Sequence, residues 1–195
     1  MGKHERKNDK RKQIILSIVL SAVMIFSAFG VMIGSFTNNE MNYNGHTFEI
    51  KGSKYVTKIN GNEMEFDFLP PTTESINLSN DTARKIKESY VLMITFDPSQ
   101  ESNLPVMELV RFDLSQKLGK IMISGVMSSS EQYQNFSIIT CENATQQSLV
   151  IILNMSDNTS ITDTGNCIYL NARGSEFLRL RDRVLYSYYG VIKNG

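Results

Sequence analysis

Residues 14–36 read IILSIVLSAVMIFSAFGVMIGSF, 23 positions without a charge. At a rise of about 1.5 Å per residue such a run crosses a hydrocarbon core of about 30 Å, so a transmembrane helix is expected over 14–36. A polar spacer follows at 37–45, and then the pattern changes to strict alternation. HTFEIKGSKYVTKINGNEMEFDF reads as three strands joined at Gly52-Ser53 and Asn60-Gly61, dipeptides suited to the primed turns of β-hairpins. Those turns set a register in which Tyr55 faces Phe66, Thr57 faces Met64 and Ile50 faces Tyr55. On the other side Lys58 faces Glu63 and Lys54 faces Asp67. A slip of one residue would scramble both faces at once. Pro70-Pro71 ends this meander.

Beyond it, 72–90 are polar, with one short helix expected over 82–89. YVLMITF (90–96) is apolar throughout, as in a strand buried on both faces. Pro105 can open a helix in which Val106, Leu109, Val110, Leu114 and Leu118 recur at helical spacing, with Gly119 as its cap. KIMISGVM (120–127) is a further strand, completing a right-handed parallel βαβ unit. Two more strands are expected at 148–154 and 167–171, as a hairpin around a polar loop. A last helix then runs between Ser175, its cap, and Gly190, with a stripe of Phe177, Leu180, Val184 and Tyr188 and with Leu178, Leu185 and Tyr189 beside it. The fold class expected is mixed α+β and α/β, in the order βββ-βαβ-ββα after one transmembrane helix. Its last part is similar to a degenerate thioredoxin-like order, with the second helix weak or missing between 128 and 146.

The formal net charge is zero. Residues 1–12 nevertheless carry six Lys/Arg against Glu5 and Asp9, or +4, so the remainder carries −4. Basic residues just before the apolar run predict a cytoplasmic tail (1–13), the helix (14–36), the spacer (37–45) and an extracytoplasmic domain (46–195). A cleaved secretory signal is the competing reading, but its apolar stretch is usually only about 7–15 residues. A pilin-type leader would need a small residue ahead of the apolar run. Gly30 and Gly34 stand at G-x-x-x-G spacing and could support weak self-association, although apolar helices often show such spacings by chance. A neutral-to-acidic outer domain without a basic stripe argues against nucleic acid as a partner.

Candidate chemistry is sparse. His4 falls on the cytoplasmic side and His46 stands alone outside, so no metal site is expected. No C-x-x-C, G-x-S-x-G or Gly-rich phosphate loop occurs, so no cofactor and no catalytic residue is assigned. Glu63, Glu65 and Asp67 on one strand face, and Glu108 and Asp113 on the helix, read as solvated faces. Cys141 and Cys167 are the only cysteines. In an oxidising compartment they are expected to form a disulfide, the competing reading being two separate buried thiols. Six Asn-x-Ser/Thr triplets, at Asn77, Asn80, Asn135, Asn143, Asn154 and Asn158, are candidate N-glycosylation acceptors, and all lie outside the expected membrane span.

One wider likeness runs from Thr140-Cys141-Glu142-Asn143-Ala144-Thr145 through Asn166-Cys167-Ile168 to Asp182-Arg183, Tyr186 and Gly190-Val191-Ile192. It resembles a group of single-pass membrane proteins of small-genome archaea, uncharacterised in function, with an extracytoplasmic disulfide-containing α/β domain. In these a C-x-N-A-T, a second C-I/V and a D-R-x-x-Y-x-x-x-G-I tail occur in this order. The likeness covers the last third of the chain and the anchor-and-meander plan. It implies an archaeal envelope setting and a disulfide, and it transfers no activity. The function expected is a membrane-anchored binding or scaffolding module, a subunit of a cell-envelope complex with other envelope proteins as partners. The alternative is a tethered enzyme, either thioredoxin-like or a carboxylate-dependent hydrolase.

Overall fold

The computed structural model describes residues 16–21, 23–24 and 40–193. The chain divides into two units, 1–39 and 40–195. Of the apolar run, 16–21 and 23–24 are helical with exposed side chains. The rest of the expected transmembrane segment, Gly30 and Gly34 included, lies outside the described residues, as does the basic tail. Among the described residues no helix is long and apolar enough to cross a membrane.

The meander starts earlier than expected. β1 (Glu40–Tyr43), β2 (His46–Lys51), β3 (Lys54–Ile59) and β4 (Asn62–Phe66) form a four-stranded antiparallel sheet in that order, sheet A. The stretch read as a spacer at 37–45 therefore contributes a strand. Its Met41 and Tyr43 alternate toward the core, and the left-handed φ of Asn44 (47°) and Gly45 (82°) turns the chain into β2. The expected register holds: Tyr55 pairs with Phe66, Thr57 with Met64, Lys58 with Glu63 and Ile50 with Tyr55. Lys54 binds Asp67 at 2.5 Å, whereas Glu63 takes the ammonium of Lys51 rather than that of Lys58.

After α1 (Pro70–Thr73) comes α2 (Asn80–Glu88), where Ser79 Oγ accepts the N–H of Thr82 at 3.0 Å as an N-cap. A second sheet, sheet B, holds β5 (Val91–Phe96), β6 (Ile121–Val126), β7 (Ser137–Ile138), β8 (Ser148–Met155), β9 (Ser160–Thr164) and β10 (Cys167–Ala172). Its order is β7-β6-β5-β8-β10-β9. Helix α3 (Leu104–Lys117) carries the expected crossover between the parallel strands β5 and β6. Helix α4 (Glu176–Tyr188) ends at Gly190, whose φ of 74° lets Val191 N–H reach Tyr186 O at 2.8 Å. Ser175 precedes α4 without capping it through its side chain.

The expected hairpin of 148–154 with 167–171 is corrected. β8 and β10 run parallel, with Val150 against Cys167 and Leu153 against Leu170. The chain passes from β8 to the outer edge, forms β9 antiparallel to β10, and inserts β10 between the two. β9 was legible only as a polar loop because SITDT holds a single apolar residue, Ile161. With β8 parallel to both β5 and β10 in place of the expected antiparallel pair, the thioredoxin-like order loses its basis.

Of helices α1 to α4, α3 and α4 lie between the sheets. One core joins Phe48 and Phe66 of sheet A, Val110, Leu114 and Val184 of the helices, and Ile94 and Ile151 of sheet B. Tyr186 of α4 stacks on Phe66 with ring centroids 4.4 Å apart and meets Phe48 edge-on. On the far side of sheet B a smaller cluster of Met93, Val150, Ile152 and Cys167 is covered by Ile139, Cys141 and Ala144. This cover approaches so closely that a Cβ on Gly125 would lie 2.5 Å from Ser137 O and 2.6 Å from Ile139.

Candidate functional site

Burying α4 between two sheets brings charges into the interior. Phe177, Leu180, Arg181 and Val184 recur three or four residues apart, so Arg181 falls on the stripe that an amphipathic helix buries. Asp182 and Tyr186, four apart, share the adjacent face toward sheet A and clasp one stretch of backbone. Asp182 Oδ2 accepts the N–H groups of Asp67 (2.8 Å) and Phe68 (2.9 Å). Tyr186 Oη donates to Phe68 O at 2.6 Å.

Arg181, 1% exposed, is ringed by carboxylates. Its Nη2 reaches Asp67 at 2.6 Å and Asp182 at 2.7 Å, its Nε reaches Asp182 at 2.9 Å, and its Nη1 binds Asp113 of α3. Lys54 neutralises Asp67 from β3, and Lys117 lies 3.8 Å from Asp113 while donating to Glu65 O at 2.8 Å. Three cations, Arg181, Lys54 and Lys117, thus match three anions, Asp67, Asp113 and Asp182. Each buried charge has charge-assisted hydrogen bonds, the condition under which such burial is tolerated.

The acidities follow from solvent access. Burial pushes the fully enclosed Asp182 carboxyl up to about 6, although Arg181 and the two backbone N–H groups pull the other way. For Asp67, which keeps some exposure, burial also acts upward. The hydrogen bonds from Lys54 and Arg181 outweigh it and hold the carboxyl below its ordinary value. Burial, together with the neighbouring Arg181 charge, lowers the Lys117 ammonium. Burial raises the Tyr186 phenol far above its ordinary value, so it stays a hydrogen-bond donor.

Asp67 and Asp113 were both read from the sequence as solvated carboxylates, and here the structure corrects that reading. Neither strand alternation nor helical spacing reports that a helix far along the chain will pack against both. The available signal was Arg181 on the apolar stripe of α4, since an arginine there needs partners. Glu63, Glu65 and Glu108 are at least partly exposed, as expected of surface carboxylates. His46 lines an open groove of about 480 Å³ on the outer face of sheet A, with Glu49, Lys51, Val56, Lys58 and Glu63. A second open groove, of about 490 Å³, lies where β5 and β6 end, between Pro98, Glu101, Leu104, Pro105 and Ser130 to Gln132. Among the described residues no three His, Cys, Asp or Glu side chains are grouped as a metal ion would need.

Cys141 and Cys167 are joined by a disulfide, with Cα atoms 5.5 Å apart. It does not close the base of a hairpin. It ties the cover segment, which crosses the far face of sheet B, to the start of β10, and Tyr169 Oη lies 3.0 Å from Cys141 Sγ. Five of the candidate acceptors, Asn77, Asn80, Asn135, Asn143 and Asn158, are exposed. Asn154 is half-buried inside β8, and its Nδ2 donates to Asn171 Oδ1 at 2.8 Å, which removes it from ready access.

The described domain is thus a mixed α+β sandwich of an antiparallel sheet, a helix layer and a mostly parallel sheet, sealed on its far side by a disulfide-tied segment. No family model, curated protein or solved structure matches the chain.

Proposed function

We propose that the chain is a membrane-anchored, extracytoplasmic binding or scaffolding module, non-enzymatic, serving as a subunit of a cell-envelope complex. The observation that carries the reading is the Cys141–Cys167 disulfide, which is at home in an oxidising compartment. It agrees with the uncharged run at 14–36 and the basic residues before it, which favour an embedded helix with the domain outside. The carboxylates that converge, Asp67, Asp113 and Asp182, are all engaged by Arg181, and the network reads as a clasp between sheet A and the helices. Exposed acceptors such as Asn135 and Asn143 would carry glycans on the cover segment where the host modifies such sites.

The test is an alkaline carbonate wash of membranes from the native host, followed by protease treatment of intact cells. The proposal expects the chain to stay in the pellet, its C-terminal domain to be cut from outside, and a mild-detergent extract to co-purify a defined partner. A chain released by the wash, or protected in intact cells, ends the proposal. A reactive thiol titrated at Cys141 or Cys167 would instead turn attention to redox chemistry.

A further inference from the structure

Sheet B ends differently on its two sides. At β9 the edge is blunted, with Asp163 held by Lys85 at 3.0 Å between the hydroxyls of Thr162 and Thr164. On the opposite side β7 pairs only with Gly125 and Val126, so 121–124 of β6 form an edge. Two hydrogen bonds show where its backbone points. Ile139 N–H donates to Val126 O on the outer side, while Met127 N–H donates to Phe96 O on the β5 side, both at 2.9 Å. Backbone groups alternate sides along a strand, so Met122 and Ser124 direct their N–H and C=O groups outward. Among the described residues no strand takes them. Beside them Ile121 and Ile123 are 66% and 42% exposed, and 121–124 hold no proline and no charge. A bare edge with exposed isoleucines is a template for strand addition.

We propose that this edge pairs with the same edge of a second copy, antiparallel, about a twofold axis at Met122. Two constraints select the register. A twofold axis normal to the sheet brings like-facing residues together, so paired residue numbers sum to an even value. Ser137 already lies against Gly125, so no partner residue can sit opposite 125. The longest register left sets Met122 against Met122, Ile121 against Ile123 and Lys120 against Ser124. Isoleucine then meets isoleucine twice, and each Lys120 stands opposite Ser124 rather than another lysine, its ammonium kept by Lys87 O and Ser89 O of its own chain. The chain leaves the strand at Gly119, whose φ of 61° turns it back to α3 before it would collide with β7 of the partner. The pairing also rests in part on the anchoring proposed above, because copies held in one membrane meet at a raised effective concentration.

Cys141 and Cys167 are joined to each other, so an introduced cysteine reports on the register. The experiment places full-length Met122→Cys in phosphatidylcholine–phosphatidylglycerol vesicles, oxidises it mildly and separates the products without reductant. Opposed residues of a hydrogen-bonded pair have Cα atoms about 5.5 Å apart, within disulfide reach. Met122→Cys is expected to cross-link at least tenfold more than Ser124→Cys, and adding Ile123→Lys should abolish the product. A mixture of Ile121→Cys and Ile123→Cys chains, both altered at exposed positions, should cross-link as well, which guards against a misfolded Met122 variant. If Met122→Cys links no more than Ser124→Cys and the mixture stays unlinked, the pairing is wrong. A cross-link that survives Ile123→Lys overturns it too. A chain that cross-links but washes off the vesicles in carbonate sinks the anchoring and leaves the strand pairing standing.

Discussion

Arg181 answers three carboxylates at once, so its loss differs from the loss of one ion pair. Arg181→Ala would leave Asp182 buried and uncompensated and remove a partner from Asp67 and Asp113. Breaking a buried pair in this way costs about 3–5 kcal/mol, and denaturant unfolding should show a fall of that size. Lys54→Met, on the rim of the same network, should cost well under half as much, because Asp67 keeps Arg181 and some water. Asp182 sets a sign for pH. Its carboxyl is raised in the folded state to about 6, so between the ordinary carboxylate range and that value the folded chain holds a proton that the unfolded chain has released. The stability from this site is therefore complete at low pH and is lost as pH rises through about 6. Asp67, held low, acts in the opposite sense and loses its contribution as pH falls. Asp182→Asn should thus cost more stability at pH 4.5 than at pH 7.5. Equal costs at the two values would show that Asp182 does not change charge in that window.

At the scale of elements, the cover over the far face of sheet B depends on one close approach. Gly125 admits Ser137 and Ile139 at distances that no Cβ allows. Gly125→Ala should push β7 and Ile139 outward while α3, α4 and sheet A keep their contacts. Limited proteolysis between 128 and 147 should accelerate at least tenfold, with a loss of about 2 kcal/mol in global stability. Unchanged protection of that segment would mean the cover adjusts without strain. The short strand β9 makes the complementary point. Its polar sequence forms a strand because β10 offers it a ladder and Lys85 engages Asp163. Context decided that element.

For the whole molecule the disulfide and the clasp do different work. Arg181, Asp182 and Tyr186 join sheet A to the helix layer, and Cys141–Cys167 joins the cover to sheet B. In the chain-entropy view a closed loop of this size contributes about 3.5 kcal/mol, so Cys141→Ser with Cys167→Ser should lose roughly that on denaturant unfolding. Hydrogen exchange should rise first at 137–147 and at the start of β10, with the clasp around Phe68 still protected. Uniform loosening of both regions would show that the two fastenings are coupled.

Much of this domain was legible in the chain before folding. The Gly52-Ser53 and Asn60-Gly61 turns determined the register of β2, β3 and β4 in sheet A, because turn length and alternation together leave one pairing that suits both faces, whereas β1 was hidden in the stretch read as a spacer. The βαβ crossover at 91–126 and the helix stop at Gly190 are likewise local, each set by residues within a few positions of one another, whereas the cap expected from Ser175 does not form through its side chain. Three things were decided only by tertiary structure: the parallel pairing of β8 with β10, the strand nature of β9 and the burial of Arg181 and Asp182. Periodicity states which face of an element is apolar, but not how many neighbours will cover it. α4 lies between two sheets, so the charges on and beside its apolar stripe had to find partners on α3 and in the turn just after β4, far away in sequence. That demand arises only once the layers have assembled.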